Sequence, residues 1–419
     1  MKEIDQLIAI SREQFDLTDP EYQQSLYNLS NELIDLKDTA KAELMRMAGD
    51  SSLPLEFRMA IHLMRSKRYL NSIKSKLKIG VVFAMWGEQH RLYPSSGINP
   101  NGEDTLRTKI EQLNWAIENS EVDWHLYAVD DGCPYDSGRI AEEIIADHPE
   151  RDKVSVLYLA DAIPTQTGPL RKLKTVDDSK KGGAIITGCQ QAIEDGMDAI
   201  IYTDADNSVH LGQIGILLKP YLEEKLNVIL GNRKDPSAVL VKQENRWGIG
   251  IKLLRHMQRM VGVSIFSRGI LDSQAAFKLY DSNLLKDIIT DPAVFDFSFD
   301  SDWIAASIER NENFAKVPFS FVDSFAESAS IVQGPMSTWE TLLLGLVKSV
   351  RHRKLPHNVA MAKVLEEEIQ SPADLDLLIN SLPPQLEEVE DKDLGNPEVM
   401  SPEEVREWII EMRSEGVKE

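Results

Sequence analysis

Two patterns of apolar residues succeed each other along the chain. Over residues 20–47, and again after Pro54, apolar side chains recur every three or four positions, which is typical of amphipathic helices. From residue 78 onward, short runs of consecutive apolar residues take over, and such runs are typical of strands that are buried on both faces. We therefore predict one helix over 20–47, a second helix after Pro54, and a sheet that starts near residue 78.

The apolar runs alternate with helical patterns. The runs lie at 79–84, 124–129, 154–159, 199–203 and 228–230, and helical spacing is found at 105–119, 137–146 and 182–195. Strands that alternate with helices form βαβ units, in which the strands are parallel. The sequence thus predicts an α/β fold with a mostly parallel, Rossmann-like sheet in residues 78–335, between an N-terminal helical segment (1–77) and an acidic C-terminal helical segment (336–419).

Local signals refine the prediction for the C-terminal segment. Ser401 and Glu404 are spaced as a capping box, and Pro402 stands in the first turn, so we predict that the last helix starts there. Further upstream, His256 lies within a helical pattern, and we expect its side chain on the surface of that helix.

Charge and cysteine content narrow the class of protein. Lys and Arg total 46 and Asp and Glu total 68, so the formal net charge is −22. Such an acidic chain repels nucleic acid, and no apolar stretch approaches the roughly 18 residues that an integral membrane segment needs. Only Cys133 and Cys189 are present, and no secretion signal is recognisable, so we expect a cytoplasmic protein.

Two acidic clusters follow predicted strands. Asp130 and Asp131 come directly after the second strand, and Asp204 and Asp206 come directly after the fourth. Ligands of an open parallel sheet bind beyond the carboxyl ends of its strands, and residues two apart in extended backbone point to the same side. Asp204 and Asp206 therefore predict a site for a divalent cation, Mg²⁺ or Mn²⁺, that would also contact phosphate oxygens.

A series of short motifs occurs in order over residues 78–330. They are Val129-Asp130-Asp131-Gly132, Lys180-Lys181-Gly182-Gly183-Ala184, Thr203-Asp204-Ala205-Asp206, Gly231-Asn232-Arg233, Asp272-Ser273-Gln274, Phe299-Asp300-Ser301-Asp302, and Val317-Pro318 with Asp323 and Ser328. In this order they resemble family 2 glycosyltransferases, particularly the dolichyl-phosphate glucosyl- and mannosyltransferase branch. The resemblance implies a GT-A fold and the activity of an inverting hexosyltransferase.

The resemblance also implies which residues form the site. The nucleotide-binding residues would be Glu88, Asp130, Asp131, Lys181, Gly182, Gly183, Asp204 and Arg233. Asp204 and Asp206 would bind the metal, with His352 or His357 as a third ligand, and Asp302 or Asp300 would be the catalytic base.

The expected partners follow from the same resemblance and from the charge. The donor would be a nucleoside-diphosphate sugar, with UDP favoured over GDP because residues 272–279 are closer to the glucosyl branch. A basic cluster over 348–354 favours a small or anionic acceptor, and the N-terminal helices would provide packing or a homo-oligomer interface.

Two other classes of protein stay open at this point. Residues 87–94 partly resemble the glycine-rich loop of sugar-nucleotide pyrophosphorylases, although Gln89 stands where that loop has its second glycine. A nucleotidyltransferase is therefore one alternative, and a non-catalytic protein that binds sugar nucleotides is the other.

Overall fold

The computed structural model describes residues 2–36, 41–242, 248–323 and 335–416, so Ser328 lies outside the described residues. Its N-terminal part consists of helices α1 (Lys2–Ile10), α2 (Pro20–Asp35), α3 (Lys41–Gly49) and α4 (Leu55–Leu70). The prediction of α4 after Pro54 is confirmed. The prediction of one helix over 20–47 is wrong, because α2 ends at Asp35 and a separate helix follows.

Seven of the described strands form one sheet. The nine strands of the described chain are β1 (Leu77–Met85), β2 (Val122–Asp130), β3 (Val154–Tyr158), β4 (Ala199–Thr203), β5 (Val228–Gly231), β6 (Val239–Val241), β7 (Phe277–Asp281), β8 (Phe314–Val317) and β9 (Ser320–Val322). The large sheet has the order β3-β2-β1-β4-β7-β5-β8, and β6 and β9 form a separate pair. Only β7 runs antiparallel to its neighbours in the large sheet. The predicted α/β class with a mostly parallel sheet is confirmed.

Helices connect and cover the strands. They are α5 (Thr105–Ile117), α6 (Ser137–Ala146), α7 (Leu159–Ala162), α8 (Gly182–Glu194), α9 (Ile214–Glu223), α10 (Ile251–Val261), α11 (Val263–Phe266), α12 (Ser282–Ile289), α13 (Phe299–Glu309), α14 (Pro335–His352), α15 (Val359–Glu368), α16 (Pro372–Ile379) and α17 (Pro402–Gly416). Buried side chains of the central strands, such as Val81, Leu126 and Ile201, form one apolar core with residues of α5 and α9. None of the described helices is long and apolar enough to cross a membrane.

The chain forms two compact units that are not continuous in sequence. The first contains the described residues of Met1–Lys242, Ala275–Asp287 and Glu312–Glu327, and the second those of Gln243–Gln274, Ile288–Asn311 and Ser328–Glu419. The N-terminal helices therefore share a unit with the sheet, whereas the sequence suggested a separate segment over 1–77. The C-terminal helices share a unit with the described residues of Gln243–Gln274 and Ile288–Asn311, two segments of the predicted 78–335 domain.

The second unit contains one confirmed local prediction and one error. The amide N–H of Ser401 donates to Glu404, whose own N–H donates to the Ser401 hydroxyl, so the predicted capping box is present. The prediction that His256 lies on a helix surface is wrong, because its ring is buried. Its Nε2 lies 2.9 Å from the Met400 carbonyl oxygen, and its Nδ1 accepts a hydrogen bond from the N–H of Gly395.

Candidate active site

The carboxyl ends of four strands meet at one edge of the sheet in the first unit. Met85 pairs with Asp130 in the parallel register of β1 and β2, and β4 runs parallel to β1 on its other side. Strand β5 runs in the same direction, since both it and β4 are antiparallel to β7. Asp130 is the last residue of β2, and the residues that follow the four strands include Glu88, Asp131, Asp204, Asp206 and Arg233. The topology therefore brings the predicted residues of the first unit to a common edge.

Asp130 and Asp131 brace the loops at this edge. The carboxylate of Asp130 accepts hydrogen bonds from the N–H groups of Cys133 and Gly138, each at 2.8 Å. Burial raises its pKa, although these N–H groups lower it. Asp130 thus holds the turn after β2 and the start of α6, and its predicted contact with a nucleobase stays a prediction.

Asp131 links the end of β2 to the start of α8. Its carboxylate accepts hydrogen bonds from the Ser179 hydroxyl at 2.7 Å and from the N–H of Lys181 at 2.6 Å. Burial raises the pKa of Asp131 to about 6, against the effect of these two donors. The carboxylate therefore sets where the backbone of Lys181 lies.

The first turn of α8 can accept an anion. Lys181 precedes the helix with a φ of +78°, a conformation that few non-glycine residues adopt. N–H groups in the first turn of a helix have no partner within that helix and favour negative charge. A Cβ on Gly183 would lie 2.7 Å from the Ser179 hydroxyl oxygen, so the close packing of this turn requires glycine.

Asp204 and Asp206 form an electrostatically coupled pair after β4. The side chain of Asp204 is one-third exposed and forms an ion pair with the ammonium of Lys181. Burial opposes its ionisation, but Lys181, Arg233 and Lys109 hold the pKa of Asp204 below its ordinary value. Burial and the Asp204 carboxylate raise the pKa of Asp206. Two carboxylates that repel each other in this way gain from a shared cation.

The chemistry of these donors fits a divalent metal ion. Both side chains supply hard oxygen atoms, and the ammonium of Lys181 already shows that a cation is accepted beside Asp204. Within the described residues, no three or more acidic, histidine or cysteine side chains gather into a metal-binding group. The protein would therefore supply two carboxylates and leave the other positions to phosphate oxygens and water, which is the usual arrangement for Mg²⁺.

Arg233 extends the positive side of the site. It follows β5, and its guanidinium lies 5.0 Å from the centre of the Phe321 ring. The same guanidinium contributes to the lowered pKa of Asp204, so the two charges lie close enough to interact. Arg233 and Lys181 thus place positive charge beside the acidic pair, and their predicted contact with a nucleotide stays a prediction.

Glu88 does not stand alone after β1. The Arg91 guanidinium donates to the Glu88 carboxylate and also to Glu103, at 2.8 Å, and all three side chains are buried. Burial raises the pKa of Glu88 to about 7, with Arg91 acting in the opposite direction. Arg91 is therefore held between two carboxylates, and the resemblance of residues 87–94 to a pyrophosphorylase loop stays a prediction.

The predicted base, Asp302, and the predicted metal ligand, His352, lie in the second unit. Asp302 lies in the first turn of α13, and its side chain is fully buried. Its carboxylate accepts hydrogen bonds from Arg353 and from the N–H of Ala293. The Nε2 of His352 lies 2.9 Å from a carboxylate oxygen of Asp291. Asp300, also on α13, is buried as well. The catalytic and metal-binding roles of these side chains stay predictions.

The sequence analysis missed three residues that surround the acidic pair. Glu103, Lys109 and Asn207 contact each other or the backbone of Asp206, as described below. One signal was available, because Lys109 stands among Leu106, Ile110 and other apolar positions of α5 that face the core. A lysine on the buried face of a helix indicates a specific partner for its charge.

The chain was compared with known proteins by sequence and by structure. No protein-family model matches the chain. The chain is 23% identical over 205 residues to undecaprenyl-phosphate mannosyltransferase of Micrococcus luteus, and the match covers 46% of this chain and 79% of that protein. This similarity agrees with the motifs and confirms the expected resemblance to family 2 glycosyltransferases.

Solved structures of glucosyl-3-phosphoglycerate synthase from Mycobacterium tuberculosis are also similar to this chain. The complex with Mn²⁺, UDP-glucose and phosphoglyceric acid has 13% sequence identity and a TM-score of 0.46, covering 70% of this chain and 84% of that chain. The complex with Mg²⁺ and UDP has 14% identity and a TM-score of 0.44, covering 69% and 84%.

Proposed function

We propose that this protein is a metal-dependent glycosyltransferase that moves a sugar from a nucleoside-diphosphate sugar to an acceptor. The observation that carries the proposal is that Asp204 and Asp206 stand two residues apart at the carboxyl end of β4, where Asp204 already pairs with the ammonium of Lys181. The sequence similarity to a mannosyltransferase supports the same reaction class.

Each part of the site has a role in this reaction. Asp204 and Asp206 would hold Mg²⁺ or Mn²⁺, which neutralises the negative charge that develops on the departing diphosphate. Lys181, Arg233 and the first turn of α8 would bind the diphosphate oxygens, because they provide positive charge and N–H donors at the same edge. Asp131 holds the backbone of Lys181 in place.

The donor would be a UDP-sugar, on the strength of the motif at residues 272–279. The acceptor would be small or anionic. A phosphate acceptor is already ionised and needs no base, which is compatible with Asp302 being engaged by Arg353. The name of the M. luteus relative also specifies a phosphate-bearing acceptor, undecaprenyl phosphate.

The proposal can be tested with purified protein and a panel of UDP-, GDP- and ADP-sugars. We expect one donor to raise the melting temperature only when Mn²⁺ is present, and to be hydrolysed slowly without acceptor. Asp204→Asn should abolish both effects. Asp376→Asn is the matched control, because Asp376 belongs to another Asp-x-Asp pattern but is exposed on α16.

Two outcomes would contradict the proposal. One is that no nucleotide sugar stabilises the wild-type protein with or without Mn²⁺. The other is that hydrolysis or transfer continues at the wild-type rate in EDTA or in Asp204→Asn.

A further inference from the structure

A buried ionic cluster lies behind the acidic pair. It consists of Glu88, Arg91 and Glu103 from the segment between β1 and α5, and of Lys109 from the second turn of α5. The side chains of Arg91 and Glu103 are 6% and 2% exposed, and Lys109 is fully buried. Buried ionised groups are costly unless they are paired, so these four must satisfy one another or a neighbouring group.

The cluster extends directly to the backbone that follows Asp204. One carboxylate oxygen of Glu103 accepts from Arg91, and the other accepts from the N–H of Asn207 at 3.0 Å. The Glu103 carbonyl oxygen accepts from the Asn207 side-chain amide at 2.9 Å. The Lys109 ammonium donates to the carbonyl oxygen of Asp206. Three hydrogen bonds therefore hold Asp206 and Asn207, two consecutive residues of the turn that follows β4.

These bonds act on the geometry of the acidic pair. They are made to the backbone of Asp206 and to Asn207, so these three bonds do not occupy the carboxylates of the pair. Asp206 is further oriented by its own carboxylate, which accepts from the N–H of Ser208 at 3.0 Å. The carbonyl group and the side chain of Asp206 leave the same Cα, so a change in the backbone dihedrals of this residue changes the direction of its side chain relative to the turn.

We propose that Glu103 and Lys109 are positioning residues that hold the turn of Asp204–Ser208 in the geometry that binds a divalent cation. This inference rests on the proposed function. It also gives a role to the long segment between β1 and α5. Neighbours that orient metal ligands commonly change metal affinity by about 10–100-fold when they are removed.

The test compares Lys109→Met and Glu103→Gln with wild type in two measurements. Hydrogen exchange reports how firmly the N–H of Asn207 is held, and electron paramagnetic resonance reports binding of Mn²⁺ alone. We expect exchange of residues 204–208 to be at least about tenfold faster in both variants, and Mn²⁺ to bind about 10–100-fold more weakly.

Two further variants separate positioning from general stability. Lys67→Met is the matched control, because Lys67 is also buried and its ammonium pairs with Glu118 at 3.1 Å. It should lower the melting temperature without changing exchange at 204–208 or Mn²⁺ affinity. Lys109→Arg keeps a donor at this position, and we expect it to recover part of the Mn²⁺ affinity even if Lys109→Met folds poorly.

The inference is overturned if exchange and Mn²⁺ affinity in Lys109→Met and Glu103→Gln stay within twofold of wild type. It is also overturned if Lys67→Met changes both quantities equally, because the effect would then be general. If wild type binds no Mn²⁺, the proposed function fails, and faster exchange in both variants would still support the role of Glu103 and Lys109 in holding the turn.

Discussion

Two Asp-x-Asp pairs in this chain have the same sequence pattern and different surroundings. Asp204 and Asp206 follow a strand, and Asp300 and Asp302 lie in the first turn of α13. Residues two apart in an α-helix point roughly 200° away from each other, whereas those leaving a strand can address one ligand. The structure agrees, because Asp204 raises the pKa of Asp206 while Asp302 is paired with Arg353.

The comparison shows that charge balance distinguishes a ligand site from a structural ion pair. Asp302 accepts two hydrogen bonds from one guanidinium and a third from the N–H of Ala293. At the other pair, two carboxylates repel each other beside the single ammonium of Lys181 and the more distant influence of Arg233 and Lys109. Binding a divalent cation relieves that repulsion, so cation binding is favourable at Asp204 and Asp206.

The largest effect on stability should come from breaking the ion pair between Arg353 and Asp302. Arg353→Met leaves the buried Asp302 carboxylate without its partner, so we expect a loss of about 3–5 kcal/mol in the free energy of unfolding. Urea denaturation measures this loss. The double variant Arg353→Met with Asp302→Asn should lose less than the sum of the single changes. A loss below about 1 kcal/mol would show that the pair is solvated in solution.

The second effect concerns the acidic pair itself. Asp206→Asn should lower turnover by roughly 10²–10³-fold, because metal-ion stabilisation of developing charge contributes several kcal/mol. It should also weaken Mn²⁺ binding, and the melting temperature should stay the same or rise as the repulsion with Asp204 is removed. Asp300→Asn is the matched change in the other pair and should leave Mn²⁺ affinity unchanged. Equal effects of the two variants would refute the distinction between the pairs.

A third prediction concerns a buried histidine of the first unit. His62 is fully buried, and burial lowers its pKa to about 3, below the value of about 6.5 in an unfolded chain. The unfolded state therefore takes up a proton first as the pH falls, and stability is lost below pH 6.5. Between pH 7 and pH 5 the loss from His62 should be about 2 kcal/mol.

Urea denaturation of wild type and of His62→Gln at the two pH values measures this contribution. His62→Gln should show a smaller loss of stability between pH 7 and pH 5, since glutamine does not titrate there. An unchanged pH dependence in His62→Gln would show that the buried ring is not the cause.

The smallest effect should come from the exposed pair of Arg351 and Glu366. Their side chains are 41% and 43% exposed, so Arg351→Gln should cost at most about 1 kcal/mol of stability. If the basic cluster over 348–354 collects an anionic acceptor, the same variant should raise the acceptor KM severalfold and leave donor hydrolysis unchanged. An unchanged acceptor KM would remove Arg351 from the acceptor site.

Much of the fold follows from local patterns. The five predicted strands are present, and α6 begins and ends where the helical spacing predicts. The position of Asp204 at the end of β4 could also be predicted, because strand periodicity and the edge rule for parallel sheets need no knowledge of distant residues. The division of α2 from α3 was missed, since the helical spacing of apolar residues continues across the break.

The sequence by itself determined the α/β class, the acidic pair after β4 and the helix start at Ser401, because each depends on residues a few positions apart. Only the tertiary structure decided what surrounds them. Glu103 contacts Asn207 across 104 residues, and Arg353 meets Asp302 across 51. Such pairs depend on how strands and helices pack, and their energy depends on burial, which a residue's near neighbours in the sequence do not specify.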